Sequence, residues 1–191
     1  MASLASTNRY LGKYTEAEKL EIKVLEARNR ILGVEHPDTI NAMGNLAETY
    51  GCLGKYTEGE KLEIQVLDAR NRMLGVEHPC TVRAMANLAV RYHNLGKYIE
   101  AEKLEIQVLD ARKRILGMQH PHTTLAMDNL AATLRSLGKY KEAEKLAIHT
   151  QAVKSTFIGA TSNHANATMV NVQEAEETPI LNFDKKGVYS G

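Results

Sequence analysis

"LGKYTEAEKLEI", Leu11 to Ile22, returns as "LGKYTEGEKLEI" at Leu53, "LGKYIEAEKLEI" at Leu95 and "LGKYKEAEKLAI" at Leu137, each copy 42 residues after the last. A fixed period of this length is the signature of a solenoid or array, in which one supersecondary unit is stacked on copies of itself. The unit from Pro37 to His78, "PDTINAMGNLAETYGCLGKYTEGEKLEIQVLDARNRMLGVEH", matches the next, Pro79 to His120, at 28 of 42 positions. Duplication built the chain, and the reading of one unit carries over to the others.

Within the unit, Met43, Leu46, Ala47, Tyr50 and Leu53 recur at steps of three and four, the apolar stripe of one helix face. Beyond "LGK", the spacing of Tyr56, Gly59, Leu62, Val66, Ala69 and Met73 predicts a second, longer helix that ends near Leu74, where glycine stops it. The "HP" at His36, His78 and His120 fixes the entry to each first helix, because proline suits a first turn and keeps the residue before it out of helical geometry. Thr39, Thr81 and Thr123, or Asp38 in one unit, are the candidate caps. Glu26 with Arg30, Asp68 with Arg72 and Asp110 with Arg114 place acid before base at i and i+4, pairs worth a few tenths of a kcal/mol each. Lys61, Glu63, Gln65 and Asp68 read as exposed. A single helix pair cannot bury both of its faces, so each must stack on its neighbours and the fold is an all-α superhelix.

Composition narrows the function. Twenty-four Lys and Arg against 23 Asp and Glu leave almost no net charge, which gives no footprint for nucleic acid or an anionic membrane surface. No apolar stretch approaches the ~18 residues of a membrane span, and the N-terminus has no targeting pattern. Two cysteines, Cys52 and Cys80, are too few for a disulfide scaffold and lack zinc spacing, which points to a reducing, cytoplasmic compartment. Three of the seven histidines belong to the "HP" turn, a structural role repeated in each unit. His120 and His122 stand close in "HPH", but the pattern supplies no third metal ligand. The glutamates of "EAEKLE" recur along a helix read as exposed, whereas acid/base catalysis needs an enclosed, perturbed pair. No nucleophile elbow, H-E-x-x-H or Gly-rich phosphate loop is present. The reading is of a protein that is not an enzyme and needs no cofactor or metal.

The order Leu46, Ala47, Tyr50, then Tyr56, Gly59 and Val66 resembles the tetratricopeptide repeat. Its two small positions fall on Ala5, Ala47, Ala89 and Ala131 and on Ala17, Gly59, Ala101 and Ala143. The 42-residue length, with "HPxT" before the first helix and "GKYxEAE" before the second, is similar to the long variant found in kinesin light chains and in the repeat tails of NTPase-containing receptors. The resemblance spans about Met1 to Gly159 and implies a right-handed α-solenoid of antiparallel helix pairs. There is no heptad segment and no NTPase loop, so the likeness carries the fold further than either parent function. The units read as a partial first repeat (1–36), three repeats (37–78, 79–120, 121–159), a degenerate capping helix (160–178) and a flexible tail (179–191).

In such arrays the first helices line a concave groove. Carried over position by position, the resemblance gives Arg9 and Tyr10 from unit one and Asn41, Gly44, Asn45, Glu48 and Cys52 from unit two. Unit three gives Arg83, Ala86, Asn87, Val90, His93 and Asn94; unit four gives Leu125, Asp128, Asn129, Ala132, Arg135 and Ser136. Asn45, Asn87 and Asn129 form a ladder of amides, each able to donate to and accept from a peptide backbone, unless they serve neighbouring helix ends instead. Arg9, Arg83 and Arg135 offer forked donors suited to carboxylates. The implied ligand is an extended peptide or partner segment with acidic character, bound by a non-catalytic interaction module. Between units two and three the first-helix segments differ at eight positions, five of them in the groove set (41, 44, 48, 51 and 52), while the second helices barely differ. Ligand selection explains that contrast, as does uneven drift after duplication. The alternative function is a regulatory or self-associating repeat arm that stacks through an exposed N-terminal end.

Overall fold

In the computed structural model, residues 1–156 are described; the expected capping helix and tail lie outside them. The described residues form α1 (Ala2–Tyr10), α2 (Tyr14–Leu32), α3 (Pro37–Cys52), α4 (Tyr56–Leu74), α5 (Pro79–Asn94), α6 (Tyr98–Leu116) and α7 (Pro121–Ser136), followed by a helix over 140–156, α8. From α1 to α7 each helix packs on the next one in sequence, and α5 also touches α7. The pairs therefore stand in file. Consistent with this, the apolar interior is divided: one cluster centres on Ile40, Met43 and Val66, and another runs from Val82 and Met85 to Met127, Leu130 and Leu134. Ala143 and Leu146 of α8 join the second cluster.

The small positions of the repeat lie inside the stack. Ala5, Ala47, Ala89 and Ala131, and Ala17, Gly59, Ala101 and Ala143, are all buried. Two glycine turns punctuate each of the first three units. Gly54 at φ +72° completes the three-residue turn into α4, and Gly75 at φ +84° stops α4, conformations that cost an L side chain strain.

The recurring "HP" acts through its histidine. His36, His78 and His120 occupy the N-cap in extended geometry, and Nδ1 of each accepts the backbone N–H two residues on at 3.1 Å. This corrects the expectation that threonine caps these helices. Thr39, Thr81 and Thr123 are instead buried in the stack, where Thr81 Oγ1 donates to the Arg70 carbonyl at 3.4 Å and Thr123 Oγ1 to that of Gly117 at 2.8 Å.

The charged residues of the repeated phrase join one unit to the next. Lys55, Lys97 and Lys139 pair with Glu18, Glu60 and Glu102 of the preceding unit at 2.5–2.6 Å. Arg28, Arg70 and Arg112 donate forward to the carbonyls of Asp38, Cys80 and His122 at 2.7–3.0 Å, holding the first turn of the next helix. Arg72 and Arg114 reach back to Glu35 and Glu77 at 2.7–2.8 Å. Their partners are thus acids of the preceding unit and not the i−4 aspartates that spacing alone suggests. Met73, expected on the apolar face of α4, is largely exposed, and Glu63 and Arg70 are buried in its stead.

Candidate functional site

The first helices α3 and α5 and the second helix α4 enclose two adjoining depressions that share Glu48, Glu63 and Asn87. The larger, about 380 Å³, is lined by Asn41, Gly44, Asn45, Arg70, Arg83 and Ala84 besides the shared residues and Val66. The other, about 300 Å³, adds Gly51, Cys52, Val90, Arg91 and Asn94. Helical spacing explains why these first-helix residues share a wall: 41, 44, 45, 48 and 52 fall on one face of α3, and 83, 87, 90 and 94 on one face of α5. Asn45 and Asn87 are both exposed within the larger depression. Asn129, half-buried, and Leu125 and Arg135, exposed, hold the same register on α7, outside these two depressions. Asp128 is half-buried.

Several residues expected on a free wall are engaged in the scaffold. Asn41 Oδ1 accepts from Arg70 Nη2 at 3.1 Å. Arg9 Nη1 pairs with Glu48 Oε2 at 2.5 Å and donates to the Asn45 carbonyl at 3.3 Å, with Glu21 Oε1 3.9 Å away. His93 Nδ1 lies 3.0 Å from Thr133 Oγ1, and its ring stands edge-on to Tyr98 at 5.2 Å. Arg70, which spacing did not single out, lines the larger depression at 8 % exposure, and burial together with the charge of Arg83 lowers its pKa. The depression therefore carries a cationic edge at Arg70 and Arg83 and an acidic one at Glu48 and Glu63.

Beneath the wall lies a feature that contradicts the exposed reading of the phrase's glutamates. Glu21, Glu63 and Glu105 occupy one position of the repeat and are all about 5 % exposed. Each faces position 49, 91 or 133 on the next unit's first helix, which is Thr, Arg and Thr in turn. Between units two and three, Arg91 donates from Nη2 and Nε to the two Glu63 oxygens at 3.0 and 3.3 Å and to the Ala47 carbonyl at 2.8 Å. Its guanidinium also lies 5.7 Å from the Tyr56 ring. Burial pushes the Glu63 carboxyl up, and the hydrogen bonds and charge of Arg91 oppose that shift. At the other two joints no arginine arrives from the next unit. Glu21 Oε2, Thr49 Oγ1 and Glu105 Oε2 are buried without a hydrogen-bond partner, and burial raises both carboxyls, Glu105 to about 7. The signal for this was present in the sequence: Gly51 and Gly59 are the unit-two departures that give Arg91 its space.

The family model of the tetratricopeptide repeat matches residues 1–62, 44–114 and 92–154. Among solved structures, the chain is similar to a candidate kinesin light chain of Podosopora anserina with nearly identical TPR-like repeats, at 27 % identity and a TM-score of 0.71 over 82 % of this chain and 74 % of that one. A point-substituted form of that Podosopora anserina protein aligns at 22 % identity with a TM-score of 0.56, covering 82 % and 93 %. BtubC (BKLC) from P. vanneervenii aligns over all of this chain and 69 % of its own, with 16 % identity and a TM-score of 0.76, a likeness of fold alone. No curated protein matches the chain.

Proposed function

The chain belongs to the tetratricopeptide repeat family, a family of protein-interaction modules, and we propose that it binds an extended peptide or partner segment of acidic character along the wall formed by its first helices. The observation that carries this reading is the pair Asn45 and Asn87: both amides are exposed, one repeat apart, in a single depression flanked by Arg83. Amides at successive repeat positions can hold a backbone without regard to its side chains, and Asn129 continues the ladder on α7. Arg83 and Arg135 attract carboxylates; Val90, Asn94 and Leu125 offer the mixed surface on which side chains are sorted, with Asp128 beside them. Arg9, Asn41, Glu48 and His93 act chiefly by holding the wall in shape. The module works without catalysis, cofactor, nucleic acid or membrane, in the cytoplasm, a setting in keeping with its two free cysteines.

A peptide-array screen of the wild type against an Asn45, Asn87, Asn129 triple alanine variant tests this. Sequence-independent loss of binding across the positive peptides is expected. Equal binding by both proteins removes the amide ladder from the account, and binding that ignores peptide acidity removes the arginines.

A second reading, a repeat arm stacking through its N-terminal end, draws on the exposed apolar side chains Leu4 and Leu11 beside Tyr10, 91 % exposed. Light scattering on serial dilution separates the two: an arm dissociates as it is diluted, and a groove binder keeps one mass throughout.

A further inference from the structure

Where the last turns of α6 meet the first turns of α5 and α7, the helix ends enclose a third cavity, of about 270 Å³. Val82, Ile115 and Leu116 make one side of it apolar, and Ile115 and Leu116 stay exposed there. Its polar side is cationic. Arg83 and Arg112 line it together with His122, and among the described residues no carboxylate does.

The repeat itself does not demand this arrangement. One unit earlier the matching first-helix positions hold Asp38 and Asn41, and Asn41 Oδ1 accepts from Arg70, the counterpart of Arg112, at 3.1 Å. In unit three the same positions hold Cys80 and Arg83. A guanidinium has donors and no acceptor, so Arg83 cannot do for Arg112 what Asn41 does for Arg70. Arg112 keeps the other contact of its register, giving Nη1 to the His122 carbonyl at 2.7 Å, and burial alone lowers its pKa. An acid and an amide have thus given way to a second cation beside an apolar wall. The N-terminal ends of α5 and α7 add potential of the same sign.

Such a cavity complements a molecule with an apolar body and one anionic head, since forked guanidinium donors match a carboxylate. Its volume falls below the ~300–1,000 Å³ typical of drug-sized ligands, which favours a smaller guest. We propose that this cavity binds a small amphipathic carboxylate of the medium-chain fatty acid class, its chain against Val82, Ile115 and Leu116 and its head held by Arg83 and Arg112. The site is distinct from the peptide wall: of its lining residues, Arg83 alone also borders the two depressions described above. The proposal therefore stands whether or not the wall takes a peptide.

The test uses the full chain, with octanoate as the probe and Cys80 as the reporter. Cys80 is half-buried in the cavity, whereas Cys52 is exposed and lies outside it. Saturating octanoate is expected to protect Cys80 from alkylation by iodoacetamide and to leave the rate at Cys52 unchanged, both read by peptide mass spectrometry. Octanol, the same chain without the charge, should bind about tenfold more weakly by calorimetry, as should octanoate to Arg83→Gln. Acetate, the head without the chain, should protect neither thiol. Ile115→Glu, which sets a carboxylate on the apolar side, should abolish the protection. No protection of Cys80 by octanoate overturns the proposal; so does equal protection by acetate, equal affinity for octanol, or undiminished binding to either variant. Arg83 and Ile115 are both exposed, so neither substitution enters the core, and circular dichroism checks the fold. Should one variant not fold, the other and the octanol comparison decide the matter by the same criteria.

Discussion

A Cβ added to Gly59 would stand 2.9 Å from Cζ and Nε of Arg91, and one added to Gly51 only 2.6 Å from its Nη1. Units one and three carry Ala17 and Ala101 where unit two has Gly59, and at the position of Arg91 the first helices that follow them carry Thr49 and Thr133. Gly51, Gly59, Glu63 and Arg91 are therefore one packing device spread over three helices. Gly59→Ala should destabilise the protein by roughly 1–3 kcal/mol if the guanidinium can shift, and by about 3–5 kcal/mol if the buried pair opens. In an Arg91→Thr background the same substitution should change sign, because alanine is the better helix former by up to ~1 kcal/mol. Urea denaturation of the four proteins of this cycle measures the coupling. Additive effects would show that Gly59 and Arg91 are independent.

The buried acids set a pH dependence. Folded Glu105 titrates near 7, above the ~4.3 of an unfolded glutamate, so between those values the native state holds more protons than the unfolded one. Its stabilising share is complete below the lower value and is lost as pH rises through the upper one, by about 4 kcal/mol at most. Glu21 is raised for the same reason and adds in the same direction. Glu105→Gln should therefore raise stability at pH 8 relative to the wild type far more than at pH 5, as read from thermal melts across that range. A wild-type stability that climbs steadily from pH 5 to 8 would contradict this.

What the sequence disclosed and what it withheld divide along the distance between interacting residues. The helices over 37–52 and 56–74 follow from contacts three and four residues apart, and the period alone implies that the pairs stand in file. The face of Glu63 was misread because its neighbours on α4, Lys61 and Gln65, are exposed. Its burial, which Glu21 and Glu105 share, comes from the first helix of the next unit, where Arg91 stands 28 residues on. The same separation hid the partners of Arg72 and Arg114, which lie 37 residues back. It also recasts the divergence between the first helices of units two and three. Of the five groove positions that differ, position 51 changes to make room for Arg91, and Asn41 is held by Arg70. Ligand selection is left to account chiefly for 44, 48 and 52. The wall itself, by contrast, was readable from family register, since Asn45, Asn87 and Arg83 do line one depression.

The inter-unit lysine clamps are a contrasting case. Lys55, Lys97 and Lys139 close short pairs with Glu18, Glu60 and Glu102, and their ammonium groups remain open to water. Side-chain ordering and solvent screening offset most of the attraction in such pairs. Replacing all three lysines by glutamine should lower the melting temperature only slightly at low salt, and the difference should vanish in 1 M NaCl. The Arg91–Glu63 pair, shielded from ions, should keep its effect at both salt concentrations. A clamp effect that persists in 1 M NaCl would shift the weight from the carboxylates to the rings of Tyr50 and Tyr92, over which the Lys55 and Lys97 ammonium groups stand at 5.7 and 5.5 Å.

The histidine caps can be tested one unit at a time. Nδ1 of His78 accepts the Cys80 N–H and so satisfies one of the orphan donors at the start of α5. His78→Ala removes that acceptor and should cost about 1 kcal/mol, whereas His78→Asn, which caps through its amide oxygen, should recover most of it. Because Arg70 also grips this turn through the Cys80 carbonyl, the damage should stay local: amide exchange at Cys80 and Thr81 should accelerate in His78→Ala, while the first turn of α7, held by His120 and Arg112, keeps its wild-type rate. Equal exchange at the start of α5 in the alanine variant and the wild type would show that Pro79 alone fixes the entry, and that the histidine preceding it is incidental.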